Sequence, residues 1–203
     1  MSTREKILDA ALTLFAKNGY DGTSMEEISS EVGIKAPSLY KHFKGKEDIF
    51  NTLLDNAEAR YEENFGSAEN AVIPDSIESF IISTMKSVSF TISDPMIRKI
   101  RIFLIKEQFR NERLADITTR HQILGLQKMY TKIVEGMMKK GLLKKDDPSL
   151  IAMELIAPVV LYVSRTDREP GYRKEALKTI EKHLRHVCGL YAENSESEVD
   201  NDE

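Results

Sequence analysis

Apolar residues along this chain recur at three- and four-residue intervals, not at every second position. That spacing predicts helices throughout and no sheet. In residues 3–18, Ile7, Ala11, Leu14 and Phe15 fall on one face. Ser2 with Glu5 offers a capping box at its start. Asn18-Gly19 closes it with Gly19 as the left-handed residue, and Tyr20 is set to pack back onto Phe15. Ser24 with Glu27 caps a short second helix whose apolar face is Met25, Ile28 and Val32. Gly33 supplies a turn, and a third helix is expected from Ala36 to Phe43, with Pro37 in its first turn. Spacing turns Leu39 and Phe43 inward and Tyr40 and His42 outward. A fourth helix spans Lys46 to Phe65, with Phe50, Leu53, Leu54, Ala57 and Tyr61 on its inner face.

The small-residue stretch from Ser67 to Pro74 marks a domain boundary. Beyond it, Asp75 with Glu78 is expected to cap a fifth helix carrying Ile77, Phe80, Ile81, Met85 and Val88. Asp94-Pro95 starts a sixth through about Lys106. A long seventh runs from Asn111 to Lys140, and Asp147-Pro148 starts an eighth through about Arg165, with Pro158 inside it. A ninth covers Tyr172 to Tyr191. The expected division is a helix-turn-helix domain over 1–48, with its connecting helix reaching 66, a second helical domain over 67–192, and an acidic disordered tail over 193–203.

Composition agrees with long helices: the 203 residues include only ten glycines and six prolines. One cysteine cannot form an internal disulfide, which fits a reducing compartment. No apolar leader segment follows Met1. The longest uncharged run, Leu155 to Ser164, is ten residues, against the roughly 20 apolar residues of a membrane span. A soluble cytoplasmic protein without a membrane partner is expected.

Charge changes the picture through its distribution. The net charge is −4, from 29 basic and 33 acidic residues. Six of the acids lie in the last eleven residues, whereas Val32 to Lys46 holds four lysines and no acid. A local basic excess directly after a helix–turn–short helix pattern is the footprint of a DNA-reading element. In that plan the first helix crosses the phosphate backbone and the second enters the major groove. Lys35 could reach guanine O6 and N7, Ser38 several bases, and Ala36 or Pro37 a thymine methyl. Tyr40, Lys41, His42, Lys44 and Lys46 look like phosphate contacts, and Thr23 and Ser24 could add hydroxyl and backbone N–H donors.

The run Gly22-Thr23-Ser24-Met25-Glu26-Glu27-Ile28-Ser29, followed by Val32 to Ile49 with Leu39-Tyr40-Lys41-His42-Phe43 at its centre, closely resembles the N-terminal domain of the TetR family of bacterial transcriptional regulators. Ser29 and Val32 stand where that family usually has alanine. The resemblance covers about 50 residues. It implies an all-α dimer of about nine helices per chain, with the last two helices of each chain forming a four-helix dimer bundle. Each N-terminal domain would read half of a pseudo-palindromic operator, and a small molecule in the second domain would release it. A repressor is expected first. An activator, or a helical DNA-binding protein with no small-molecule ligand, is the alternative.

Candidate ligand contacts in the second domain are Phe80, Thr84, Phe103, His121, Gln122, Tyr130 and Tyr162, which would suit an apolar or aromatic effector. Candidate dimer contacts are Met153, Ala157, Leu161, Ile180, His183, Leu184 and Val187. His183 and His186 are three apart on a helix, but no further ligand-rich cluster lies nearby, so no metal site is expected, nor any cofactor. Cys188 reads as a small buried or interfacial residue. The sequence has no Walker loop, Gly-rich dinucleotide turn, His-Glu-x-x-His or nucleophile elbow, so no catalytic residue is expected.

Overall fold

The computed structural model describes residues 1–65 and 71–193. The expected boundary near 66–67 and all but the first residue of the acidic tail lie outside them. Among the described residues there are nine helices and no strand: α1 Thr3–Asn18, α2 Met25–Val32, α3 Ala36–Tyr40, α4 Lys46–Phe65, α5 Ile77–Ser93, α6 Pro95–Glu107, α7, α8 Pro148–Arg168 and α9 Arg173–Tyr191. α7 is continuous through three segments, Glu112–Thr119, a π turn at Arg120–Leu124 and Gly125–Lys139. In the π turn the Gly125 N–H donates five residues back, to the Arg120 carbonyl. Periodicity alone reads this stretch as one uninterrupted α-helix.

The chain forms two compact units. The first, described over residues 1–65 and 89–125, holds α1–α4, α6 and the front of α7. Its core joins Ile7, Ala11 and Phe15 of α1 to Ile28 of α2, Leu39 of α3, Ile49 and Phe50 of α4, and Phe103 and Leu104 of α6. Two short helices cannot bury a core alone, so α1, α4 and α6 supply the apolar surface that α2 and α3 need. Phe15, Phe50 and Phe103 form its aromatic centre, with centroids 5.7–6.4 Å apart. α6 is also tied along α1: Lys99 Nζ lies 3.3 Å from an Asp9 carboxylate oxygen, and Lys106 Nζ donates to the Ala16 carbonyl. At its start, Asp94 caps α6 through the Met96 and Ile97 N–H groups and pairs with Arg60 of α4 at 2.6 Å.

The second unit, described over residues 71–88 and 126–193, holds the front of α5, the back of α7, α8 and α9. Its buried residues include Phe80, Ile81, Tyr130, Val134, Met137, Ile151, Leu155, Ile180, Leu184 and Val187. α8 and α9 pack as an antiparallel pair. The connection before α8 is fastened to the end of α9 by a single antiparallel bridge, Leu143 with Ala192.

Three local expectations are corrected. α3 ends at Tyr40, short of Phe43, in a turn held by the His42 N–H to the Leu39 carbonyl. α5 is capped by Ser76 and Ser79, which exchange side-chain and backbone bonds at 3.1 Å. Asp75 and Glu78 are instead used by Lys140 and Arg185. α8, of 21 residues and mean hydropathy 1.4, is long and apolar enough to cross a membrane. An uncharged-run criterion misses this because Glu154 breaks the run. A third of that apolar window is buried inside the fold.

Candidate nucleic-acid interface

The reading element is built by local sequence. Ser24 accepts the Glu27 N–H at 3.1 Å, and Glu27 accepts the Ser24 N–H at 2.7 Å, so both ends of the capping box close at the start of α2. These bonds hold the Glu27 carboxyl below its ordinary value of 4.5. Gly33, at φ 74°, ends α2 in the left-handed region, and its N–H donates to the Ser30 carbonyl. Ile34 then plugs the turn, its N–H bonded to the Ser29 carbonyl at 3.0 Å. Lys35 precedes α3, and Ala36 and Pro37 form its first turn. Leu39 and Phe43 are buried, and Tyr40 and His42 are exposed.

This geometry sorts the expected contacts. Ser24, Lys35, Pro37, Tyr40, Lys41, His42 and Lys44 are exposed, and Ala36 and Ser38 are half-buried on the same short helix. Among the described residues no ion pair holds Lys35, Lys41 or Lys44. Of the acids nearby, Glu27 accepts from Ser24, Glu47 pairs with Arg113 at 2.8 Å, and Asp48 accepts the Lys44 N–H at 2.8 Å. The three lysines thus stand exposed on the surface formed by α3 and the turn after it.

Two expected contacts are placed elsewhere. Thr23 is 1% exposed, and its hydroxyl donates to the Gly19 carbonyl at 2.8 Å, so its side chain is not presented to a phosphate. Lys46 is half-buried. Its Nζ donates to the Tyr20 carbonyl at 2.7 Å and sits 4.5 Å from the Tyr20 ring centroid. It ties the start of α4 to the α1–α2 turn. From the other side, buried Glu107 of α6 accepts the Tyr20 N–H at 3.4 Å. Tyr20 also packs on Phe15 at 5.4 Å, as its spacing predicts. Glu107 has no local sequence signal, because its partner lies 87 residues away.

Phe80, Thr84 and Tyr130 meet inside the second unit. The two rings are edge-on at 6.1 Å, and the Tyr130 hydroxyl donates to Thr84 Oγ1 at 3.5 Å. Burial pushes the Tyr130 phenol up. Phe103 belongs to the aromatic centre of the first unit. Tyr162 stacks on Tyr172 at 6.2 Å. The Gln122 Nε2 is buried without a hydrogen-bond partner among the described residues. The His121 side chain lies outside what the structure describes.

The candidate dimer residues also divide. Met153, Ala157 and Leu161 are exposed on α8, in line with exposed Leu150, and the stripe is apolar. Ile180, Leu184 and Val187 are buried within the chain, facing inward from α9. His183 is half-buried, its Nε2 2.8 Å from the Glu154 carbonyl. Among the described residues no cluster of His, Cys, Asp or Glu could hold a metal. Cys188 is buried, which pushes its thiol up to about 11.

Residues 7–53 match the family model for bacterial regulatory proteins of the tetR family. Over 53 residues the chain is 47% identical to the biofilm operon icaADBC HTH-type negative transcriptional regulator IcaR of Staphylococcus epidermidis. It is 49% identical to the Staphylococcus aureus regulator of that name over 47 residues. The first match spans 26% of this chain and 29% of the relative, the second 23% and 25%. The fold is similar over nearly the whole chain to a SmeT–triclosan complex, with a TM-score of 0.76, 20% identity, and 96% of this chain and 94% of that one covered. SmeT, the repressor of the Stenotrophomonas maltophilia multidrug efflux pump SmeDEF, also matches, with a TM-score of 0.67, 22% identity, and 96% of this chain and 93% of that one covered. Salmonella enterica GusR matches at 0.65, with 24% identity and 92% and 95% covered.

Proposed function

We propose that this chain is a member of the TetR family of bacterial regulatory proteins, a cytoplasmic, ligand-responsive transcriptional repressor that binds a pseudo-palindromic operator as a homodimer. The observation that carries this reading is the outward face of α3. With the turn that follows it, this face presents Lys35, Lys41 and Lys44, none of them in an ion pair among the described residues, while Glu47 is paired with Arg113 and Glu27 closes its own capping box. Lys35 and Ser38 are the base-reading candidates; Ser24, Tyr40, Lys41, His42 and Lys44 position the helix on phosphates. Repression is favoured because the regulators that share the domain sequence are negative regulators.

Two further observations support the dimer and the effector. The exposed stripe Leu150, Met153, Ala157 and Leu161 needs an apolar partner, and a second copy of α8 supplies one. Two heads set roughly 34–36 Å apart would enter successive major grooves. Phe80 and Tyr130 offer an aromatic wall, with the Thr84 and Tyr130 hydroxyls as its polar handle. An apolar, aromatic effector fits that chemistry, and triclosan occupies SmeT on a similar fold.

The test is selection of bound duplexes from a random pool by the full chain, followed by sedimentation of the complex. A recovered pseudo-palindrome carrying two chains supports the reading; a pool with no preferred sequence removes it. The effector class is tested with phenols, triclosan first. A thermal upshift that Phe80→Trp abolishes supports the site, and a panel without any shift removes the aromatic effector.

A further inference from the structure

We propose that Arg4, on the first turn of α1, is a phosphate contact of the same DNA-reading face, contributed from outside the helix-turn-helix segment. This rests on the DNA-binding reading above. Arg4 is exposed, and its guanidinium carbon lies 4.8 Å from the centroid of the Phe43 ring. Phe43 lies in the turn after α3, immediately before Lys44. Arg4 Nη2 also donates to Thr52 Oγ1 of α4 at 3.4 Å. Ring face and hydroxyl thus hold the guanidinium beside the turn after α3.

Neither of these neighbours neutralises the charge. A ring face attracts a cation through its quadrupole, and a hydroxyl accepts one N–H. Among the described residues no acid pairs with Arg4. The adjacent Glu5 is committed to the Ser2 N–H at 2.6 Å, closing the capping box of α1. Four of the five guanidinium donors stay available, in the planar fork that matches two phosphate oxygens. A cation already fixed in place loses less side-chain freedom on binding than a free lysine does. Arg4 would therefore extend the positive stripe of Lys35, Lys41 and Lys44 along the duplex backbone, anchoring α1 while α3 reads bases.

The rival role for Arg4 is a lid over Phe43, with no part in binding, and the salt dependence of affinity separates the two. The probe is the duplex recovered by selection, alongside an unrelated duplex of equal length, with the full-length chain. Arg4→Gln keeps a stem and a donor for Thr52 and removes the charge; Arg4→Lys keeps the charge and loses the fork. Each neutralised phosphate contributes about 0.9 to the slope of log affinity against log salt. Arg4→Gln is expected to flatten the slope by about that amount on both duplexes, with an unchanged melting temperature, and Arg4→Lys is expected to keep the slope. An unchanged slope in Arg4→Gln overturns the proposal. So does a changed sequence preference at constant slope, which would make Arg4 a base reader. If the unaltered chain selects no duplex, the regulator reading fails and this proposal falls with it; if it selects one and Arg4→Gln behaves as the unaltered chain, only the Arg4 assignment fails.

Discussion

Lys44 and Lys46 are two residues apart and carry equal charge, yet their surroundings differ, and replacing each one is expected to separate binding from folding. The Lys44 side chain is exposed with no ion pair among the described residues, and the bond from its backbone N–H to Asp48 survives a side-chain change. Lys44→Ala should therefore move stability by no more than about 0.5 kcal/mol. It should lower the salt slope by about 0.9, equivalent to roughly a 3.5-fold difference in relative affinity between 50 and 200 mM salt. Lys46 donates to the Tyr20 carbonyl at 2.7 Å and covers the Tyr20 ring at 4.5 Å. A bond from a charged donor contributes about 1.5–3 kcal/mol, and a partly exposed cation–π contact about 0.5–1. Because Lys46 is half-exposed, the expected loss for Lys46→Met, which keeps the apolar stem, is about 1–3 kcal/mol. For a chain of this size that lowers the melting temperature by roughly 2–12 °C. Thermal denaturation and salt-titrated anisotropy on the selected duplex read the two effects separately. If Lys46→Met flattens the slope by about one and melts like the unaltered chain, the tie to Tyr20 is not what Lys46 does.

Phe103→Ala should destabilise the chain by about 3–5 kcal/mol in urea denaturation, since it empties the centre shared with Phe15 and Phe50; normal stability with a lost effector response would return Phe103 to a ligand wall. Cys188, with its thiol raised to about 11 by burial, should resist alkylation at pH 8 in the native state and react in urea, so full labelling of native protein would contradict its placement. The Glu27 carboxyl is held below 4.5 by its bonds to Ser24, so its contribution is complete above that value and is lost as pH falls through the lower folded one. Acid titration of stability should therefore be shallower below pH 4.5 in Glu27→Gln, and an identical acid limb would show that the capping box does not persist in solution.

Most of the reading element was legible because its determinants are local. Capping boxes, the Gly33 turn, Pro37 at the start of α3 and the inward Leu39 and Phe43 all depend on residues within a few positions of each other. The intrachain bonds of Thr23 and Lys46 are hidden from the sequence for a common reason: a hydroxyl or an ammonium looks available until the backbone carbonyl it faces is known. The carbonyls of Gly19 and Tyr20 are brought to them by the α1–α2 turn. Ile180, Leu184 and Val187 form an apolar stripe that periodicity identifies, but periodicity does not say whether such a stripe faces its own chain or another. In this chain it is buried internally, and α8 carries the exposed stripe. Phe103 was assigned to the second domain by its position after residue 67, whereas α6 returns to pack with α1 and α4. The π turn leaves no trace in hydrophobic spacing, because it adds one residue to a single turn.

The Gly19–Tyr20 turn binds the fate of distant positions together. Gly19 adopts φ 82° and ψ 170°, a conformation essentially reserved for glycine. A Cβ there would stand 3.1 Å from a Glu107 carboxylate oxygen. Alanine at 19 thus meets two obstacles of different origin, one in its own backbone and one contributed from α6. Shortening Glu107 removes only the second, and it also strips the Tyr20 N–H of its acceptor. No single compensating change at 107 restores the turn, so substitutions at these two sites will not combine additively, and a lineage carrying this chain has little freedom to drift at either one alone.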